Sequence, residues 1–308
     1  MSGPLLSRAS YEFMQRLARF SGVRRATMAR ARSGAVPSDQ PLSTAAADPV
    51  QASAGTATIL ADLERDGLAP HLRLRPDVVA DIQRWADSHP CFAYENPAHG
   101  FLPAQRPQAE AALGRPILKA VYFNPDQDCA AMRALCDSPQ VHAIAQAYLG
   151  ADARLVSRQL WWTFPTQADE KTRKKAAHFF HRDIDDWAFL KFFFYITPVQ
   201  AGDGSHHFVL RSHRPGWKQL TVEGFQKKRW TDERIRAGYG AAAMRELHGP
   251  AGLGFAEDTF GLHKAQSPSV HPRLLVSLVF QRNDYHLEDH NHLRTQWLVP
   301  PVPATQAA

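Results

Sequence analysis

Residues 178–187 read HFFHRDIDDW, and residues 188–196 continue as AFLKFFFYI. Two histidines and three aspartates stand directly before a run of apolar and aromatic residues. A polar turn leading into a buried strand would explain that composition. A metal site would also explain it, and that second reading constrains the fold. His181 and Asp183 are two positions apart, and on a strand residues i and i+2 project from one face. A single strand can then present an imidazole and a carboxylate to the same ion.

A third ligand has to come from elsewhere. The candidate is His263, in AEDTFGLHKAQSPS (256–269). Ten residues on, Arg273 enters the apolar run RLLVSLVF (273–280). A buried cation without a partner is costly, so Arg273 calls for an anion. Its guanidinium offers a two-pronged fork for a carboxylate. Two histidines and one carboxylate with open positions are the ligand set of non-haem Fe(II) oxygenases. The open positions suit a chelating 2-oxo acid and then O₂, with Arg273 on the far carboxylate of the acid.

Outward from this centre the chain reads as short strands. ARLVSRQLWWTF (153–164), FLKFFFYIT (189–197), HHFVLRS (206–212) and RLLVSLVFQR (273–282) are rich in β-branched and aromatic residues. Turn signals such as QAGDGS and HGPAG separate them. Before residue 153 the pattern is helical. LRPDVVADIQRWADSHP (74–90) sets Val78, Val79, Ile82 and Trp85 on one face behind Pro76. SPQVHAIAQAYLG (138–150) has Ser138 as N-cap, Pro139 in the first turn and Gly150 as the stop. Helices followed by strands predict an α+β fold with a mainly β core, a helical layer on an antiparallel sandwich or barrel.

The 308 residues are 44% hydrophobic and 21% charged, the composition of a globular protein with ample material for a core. The net charge of +6 is uneven: the first 35 residues hold seven arginines and one acid, Glu12, which accounts for the whole surplus. The rest is close to neutral, so nucleic acid is not an expected partner. No run is long and apolar enough to span a bilayer. Cys91, Cys129 and Cys136 form no CxxC pair and carry no expected chemistry. Residues 1–55 are expected to be a basic, disordered arm and linker, and residues 56–303 the folded domain. Within the arm, Phe13, Leu17 and Phe20 share a helical face among arginines. That pattern fits a transit peptide, an arm for a membrane surface or partner, or a leader with no role. The expected location is the cytoplasm, with a mitochondrion or other organelle as the alternative.

The stretch HRDIDDWAFLKFFFYITPVQAGDGSHHFVLRSH, followed by LHKAQSPSVHPR, resembles the phytanoyl-CoA dioxygenase family of Fe(II)/2-oxoglutarate-dependent oxygenases. The matching positions are His181-Arg182-Asp183, Phe189 to Tyr195, Asp203-Gly204, Ser212-His213, His263 and Arg273. The family often has Gly before the Ser-His pair, where this chain has Arg211, and Asn-Gly in the turn, where it has Asp203-Gly204. The resemblance implies a double-stranded β-helix, or jelly roll of cupin type, with helices packed on one sheet. It implies iron on His181, Asp183 and His263, and 2-oxoglutarate on Arg273. Trp187 matches a position where some members place an aromatic ring over the pocket. Gln159 and Trp161, alternating on the preceding strand, are expected to line the cosubstrate or substrate side. The implied reaction hydroxylates an unactivated C–H bond of a small-molecule or lipid-like substrate and releases succinate and CO₂. A carboxylate at Asp183 leaves no room for a halide, which favours hydroxylation, or desaturation by the same route, over halogenation.

Other readings stand beside these. The same fold could hold a non-catalytic metal- or ligand-binding protein with a vestigial site, or a zinc hydrolase on the same ligands. His178 could stand in for His181. Asp185 and Asp186 read as turn residues or supports of the site, and His206 and His207 as strand residues off the metal. Lys171, Arg173, Lys174 and Lys175 read as a solvated loop, or as a greeting for an acidic substrate. YHLEDHNHL (285–293) reads as surface. Residues 214–250 read as a lid or a surface excursion. Oligomeric state is not readable.

Overall fold

On the strand Arg273–Gln281, alternate side chains go to opposite sides of one sheet, and every residue is buried. That is why this stretch reads as an almost continuous apolar run: it is covered on both faces. The structure, a computed structural model, describes residues 8–32, 48–165, 179–215, 229–285 and 293–301.

In chain order the helices are α1 (Arg8–Ala18), α2 (Ser21–Arg32), α3 (Thr56–Asp66), α4 (Pro76–Ser88), α5 (Arg106–Leu113), α6 (Pro125–Asp128), α7 (Ala130–Cys136), α8 (Pro139–Leu149) and α9 (Asp232–Tyr239). The strands are β1 (Val50–Ala52), β2 (Leu68–Leu74), β3 (Cys91–Ala93), β4 (Gly100–Phe101), β5 (Lys119–Tyr122), β6 (Arg154–Thr163), β7 (Phe189–Tyr195), β8 (His206–Val209), β9 (Met244–Leu247), β10 (Leu253–Glu257), β11 (His263–Ala265) and β12 (Arg273–Gln281).

Nine strands form a major sheet in the order β1-β2-β10-β7-β12-β6-β5-β3-β4, and three form a minor sheet, β11-β8-β9. All named pairings are antiparallel. The two sheets are the faces of a jelly-roll-like core, so the α+β class with a mainly β core holds. One cluster fills the space between them: Phe193, Tyr195, Phe208, Leu247, Phe255 and Leu275. On the other face of the major sheet, Phe192, Phe194, Leu274, Val276, Leu278 and Phe280 pack against Ile82, Val141, Ile144 and Tyr148 of the helical layer. Each such side chain contributes about 1.5–3 kcal/mol on burial. The period-2 alternation thus gives the even positions of β12 to the helices and the odd ones, Arg273 to Gln281, to the interior between the sheets.

The two expected helices form as read. Pro76 starts α4, which buries Val78, Val79 and Ile82 and leaves Trp85 half-buried. Ser138 Oγ accepts the Val141 amide as the N-cap of α8. Two features differ from the sequence reading. Short strands β1–β5 interleave with the early helices and extend the major sheet; apart from β2 they are two to four residues long, too short to write a periodic pattern. The packed chain also starts before residue 56. Asp48 is buried and accepts hydrogen bonds from Val50 N (2.9 Å), Ser138 Oγ (2.7 Å) and Gln140 N (3.0 Å).

The expected disordered arm is, over residues 8–32, a pair of helices packed on the domain. The buried stripe is Met14 and Ala18, with Tyr11 beside it, and not the Phe13–Leu17–Phe20 face; Phe13 is 61% exposed. Arg24 is buried because its guanidinium meets Asp258 Oδ1 at 2.7 Å and Oδ2 at 2.8 Å. It also lies over the rings of Phe189 and Phe260. All three cysteines are buried.

Candidate metal centre and cosubstrate pocket

His181 and His263 form a reciprocal backbone pair. His181 N donates to His263 O at 2.9 Å, and His263 N donates to His181 O at 3.0 Å. This isolated antiparallel bridge sets both rings on one side, with centroids 4.3 Å apart. His181 therefore sits at a single bridge, and the residues after it run as irregular backbone until β7. The extended strand expected for His181 and Asp183 is absent, and Asp183 is placed instead by its amide, which donates to Thr259 O at 3.0 Å.

Each ring is oriented by a carbonyl. Nδ1 of His181 donates to Phe179 O, and Nδ1 of His263 to Gly261 O, each at 3.0 Å. A carbonyl only accepts, so these contacts place the proton on Nδ1 and leave Nε2 as the atom that could bind an ion. The two Nε2 atoms lie 3.6 Å and 3.4 Å from the Asp183 carboxylate oxygens. One ligand atom from each residue falls within 4.8 Å of the others, so the three can hold one ion. Burial, then the neighbouring His263, pulls the His181 imidazole down to about 4. Burial works against His263 as well, but the Asp183 carboxylate outweighs it and holds that ring above its ordinary value.

Lys191, in the middle of β7, is the counter-charge. Its Nζ lies 2.7 Å from Asp183 Oδ2 and 2.8 Å from Asp185 Oδ2. Against burial, Lys191 and His263 hold the Asp183 carboxyl well below the usual carboxylate range. Lys191 interrupts the apolar run 187–196 in the sequence. The signal that marks its role is the same one used for Arg273, a cation inside an apolar strand. Asp186 is fully buried and supports the loop: it accepts the amides of Trp187, Arg282 and Asn283.

The motif residues around the ligands are structural clamps. Ser212 Oγ accepts the Leu262 amide at 2.7 Å, next to His263. Arg182 donates to the carbonyls of Ser212 and Phe260. Arg211, where the resembling family often has Gly, has φ of 67°, a left-handed conformation that costs an ordinary residue about 1–2 kcal/mol. Its Nε donates to Asp66 Oδ1 at 3.3 Å, and its amide to Asp66 O at 2.8 Å.

Arg273 is 3% exposed. Its Nη2 donates to Thr163 Oγ1 at 3.3 Å and its Nη1 to Gly204 O, while its Nε is buried without a hydrogen-bond partner among the described residues. No carboxylate among the described residues pairs with it. Gly204, at φ +81°, lets the backbone approach: an added Cβ would stand 3.6 Å from the Arg273 side chain and 3.2 Å from Pro268. Asp203 fixes the facing loop by accepting the amides of Ser269 (2.5 Å), Val270 (3.0 Å) and His271 (3.1 Å), and the His271 ring (2.8 Å).

A cavity of about 440 Å³ joins these parts. His181, Asp183, His263 and Arg273 all line it, and so do Gln159 and Trp161 from β6. Trp187 does not. It packs in the cluster of Met14, Ile184 and Phe260, and borders a separate shallow groove with Phe13. The irregular backbone from Arg182 to Ala188 turns the ring toward the N-terminal helices instead. His206 faces the cavity outside the three-ligand group, with Nε2 2.7 Å from Glu257 Oε2. His178, the basic run 171–175, residues 286–292 of the histidine-rich C-terminal stretch and residues 216–228 of the expected lid lie outside the described residues.

No helix among the described residues is long and apolar enough to cross a membrane. No protein-family model matches the chain, and no curated protein matches it in sequence. Solved structures with a similar overall shape include AviO1 from Streptomyces viridochromogenes Tue57, 16% identical over 75% of this chain and 96% of that one, with a TM-score of 0.48. HygX from Streptomyces hygroscopicus, solved with nickel, 2-oxoglutarate and hygromycin B, is 11% identical over 72% of this chain and 86% of its own, with a TM-score of 0.48. The epimerase SnoN, solved with Fe³⁺, alpha ketoglutarate and nogalamycin RO, is 16% identical over 73% of this chain and 83% of its own, with a TM-score of 0.47. Overlaps of this kind establish no residue-level correspondence.

Proposed function

We propose that the protein is an Fe(II)- and 2-oxoglutarate-dependent oxygenase that hydroxylates an unactivated C–H bond of a small molecule. The observation that carries the reading is the pairing, in one cavity, of a His-Asp-His group with a buried arginine that has no carboxylate partner among the described residues. His181, Asp183 and His263 would hold the iron. When bound, the iron couples oxidative decarboxylation of 2-oxoglutarate to succinate and CO₂ with insertion of oxygen into a C–H bond. The described residues supply the rest. Arg273 holds the distal carboxylate of the 2-oxo acid, and Thr163 Oγ1 and Gly204 O fix its guanidinium. Leu275 and Trp161, paired across β12 and β6, give the carbon chain an apolar step. Gln159 and Ser277, the next pair, offer hydrogen bonds. Lys191 neutralises the carboxylates of Asp183 and Asp185, so the loop stays closed before iron arrives. A zinc hydrolase would give Arg273 no task. The His181-x-Asp183 and His263-x9-Arg273 spacing supports the narrower likeness to the phytanoyl-CoA dioxygenase family.

The test is an anaerobic titration with Fe(II) and then 2-oxoglutarate, read by the visible charge-transfer band of a 2-oxo acid chelated to iron. The wild type is expected to show it. His181→Ala should lose it through lost metal, and Arg273→Ala should weaken it with metal retained. Folded, iron-loaded protein without the band would overturn the assignment.

A further inference from the structure

The N-terminal helices touch the cavity itself. Tyr11 of α1 is one of its lining residues, together with Tyr285, and their ring centroids are 5.2 Å apart. Among the contacts that hold the pair of helices in place, three reach the segments that carry the proposed metal ligands. Gln15 donates to Ile184 O at 3.2 Å, one residue after Asp183. Arg24 grips Asp258, at the head of the turn that leads to His263, and Tyr148 donates to the same carboxylate at 2.8 Å. Met14 and Ala18 pack on Ile184, Phe189 and Phe260.

The position of Tyr11 along the cavity gives it a role. Arg273 and Gln281 are the two ends of β12, about 26 Å apart at the usual strand rise. Tyr285 follows the Gln281 end, so the Tyr11–Tyr285 pair stands opposite the cosubstrate end. Gln15 Nε2 donates to the Tyr11 hydroxyl at 2.7 Å, which leaves the phenolic proton available as a donor. Burial, with Asp185 behind it, pushes that phenol up, so it keeps its proton at neutral pH.

We propose that residues 8–32 are a wall of the active site, and that Tyr11 is a specificity-determining residue contacting the part of the substrate farthest from the 2-oxo acid. The ligand chemistry it fits is an organic molecule with an acceptor oxygen (hydroxyl, ether or carbonyl) beside an apolar face that lies on the tyrosine rings. The substrate role rests on the oxygenase reading; the wall does not.

The test measures how fast 2,2′-bipyridine strips the metal from the full chain. Tyr11→Cys removes the ring and opens the distal end, and stripping is expected to quicken about tenfold. The three native cysteines are buried, so a fluorescein maleimide can be placed on that one thiol. The bulky label should plug the opening and bring stripping back to the wild-type rate or below. Tyr11→Phe keeps the ring and should strip like wild type. Hydrogen exchange on the wild type needs no variant: the amides of α1 are expected to be protected with those of β6. Unprotected α1 amides, or a Tyr11→Cys rate that matches wild type with and without label, would overturn the wall. Made with Ni(II) and no 2-oxoglutarate, the stripping comparison reads the wall even where the charge-transfer band is absent, so the two readings fail separately.

Discussion

The metal loops and the N-terminal helices converge on one turn, residues 258–263, and are held there by different means. His181, Asp183 and His263 are positioned by backbone groups: the reciprocal histidine bridge, the Asp183 amide on Thr259, and carbonyls on both Nδ1 atoms. The helices are positioned by side chains, above all Arg24 on Asp258 and a small apolar cluster. Backbone anchoring spreads the cost of any one side-chain change and fixes the direction of each ring. Side-chain anchoring puts most of the attachment into one buried charge pair, where removing a single partner is expensive. The first suits ligands that must point at one ion, and the second suits a wall.

That contrast is open to direct attack. Arg24→Ala leaves Asp258 buried with only the Tyr148 hydroxyl and the Phe260 amide, and is expected to cost about 3–5 kcal/mol by denaturant unfolding. A loss within the noise would mean that the helices are merely appended. His263→Ala removes a proposed ligand and keeps the loop, so metal affinity measured by calorimetry should fall by more than about 100-fold. Wild-type affinity would take His263 out of the ligand set.

Asp203→Asn sharpens the backbone side of the comparison. Burial pushes the Asp203 carboxyl up, but the amides of residues 269–271 and the His271 ring outweigh it and hold it well below the usual carboxylate range. Its stabilisation is therefore present above the unfolded value of about 3.9 and is lost as pH falls toward the folded one. The variant should lose about 1–2 kcal/mol at neutral pH and show a flatter stability profile in acid. An unchanged acid slope would mean that the carboxylate is not engaged.

The smallest effect is on pH dependence of metal loading. A metal needs both rings unprotonated. His181 is already pulled down to about 4, while His263 is held up by Asp183. Between pH 7 and 5, affinity should therefore fall as pH falls with the release of about one proton per metal, not two. A two-proton slope would mean that the rings titrate alike.

How much of this was legible in the sequence follows from the same distinction. Strands β7 and β12 are readable because burial on two faces writes long apolar runs, and β6 and β8 because β-branched and aromatic residues stand between turn signals. His181, Asp183, His263 and Arg273 are readable because polar residues beside such runs call for an explanation. The docking of α1 and α2 is not readable. It depends on Arg24 meeting Asp258, a contact 234 residues apart, and an isolated arginine-rich helix carries no trace of its acid partner. The packing of Trp187 against Met14 and Ile184 is not readable either, since the chain from Arg182 to Ala188 is irregular and follows no period. Lys191 is legible in the same way as Arg273, as a cation inside an apolar run.

The backbone bridge between His181 and His263 also has a kinetic consequence. It closes a chain segment of some eighty residues that includes β7, β8, β9 and β10. Long closures of this kind come late in folding, after the strands that they join. A metal held across the bridge then stabilises contacts that the folding transition state lacks. Metal binding should slow unfolding steeply and leave the refolding rate almost unchanged, so an occupied site prolongs the lifetime of the native chain.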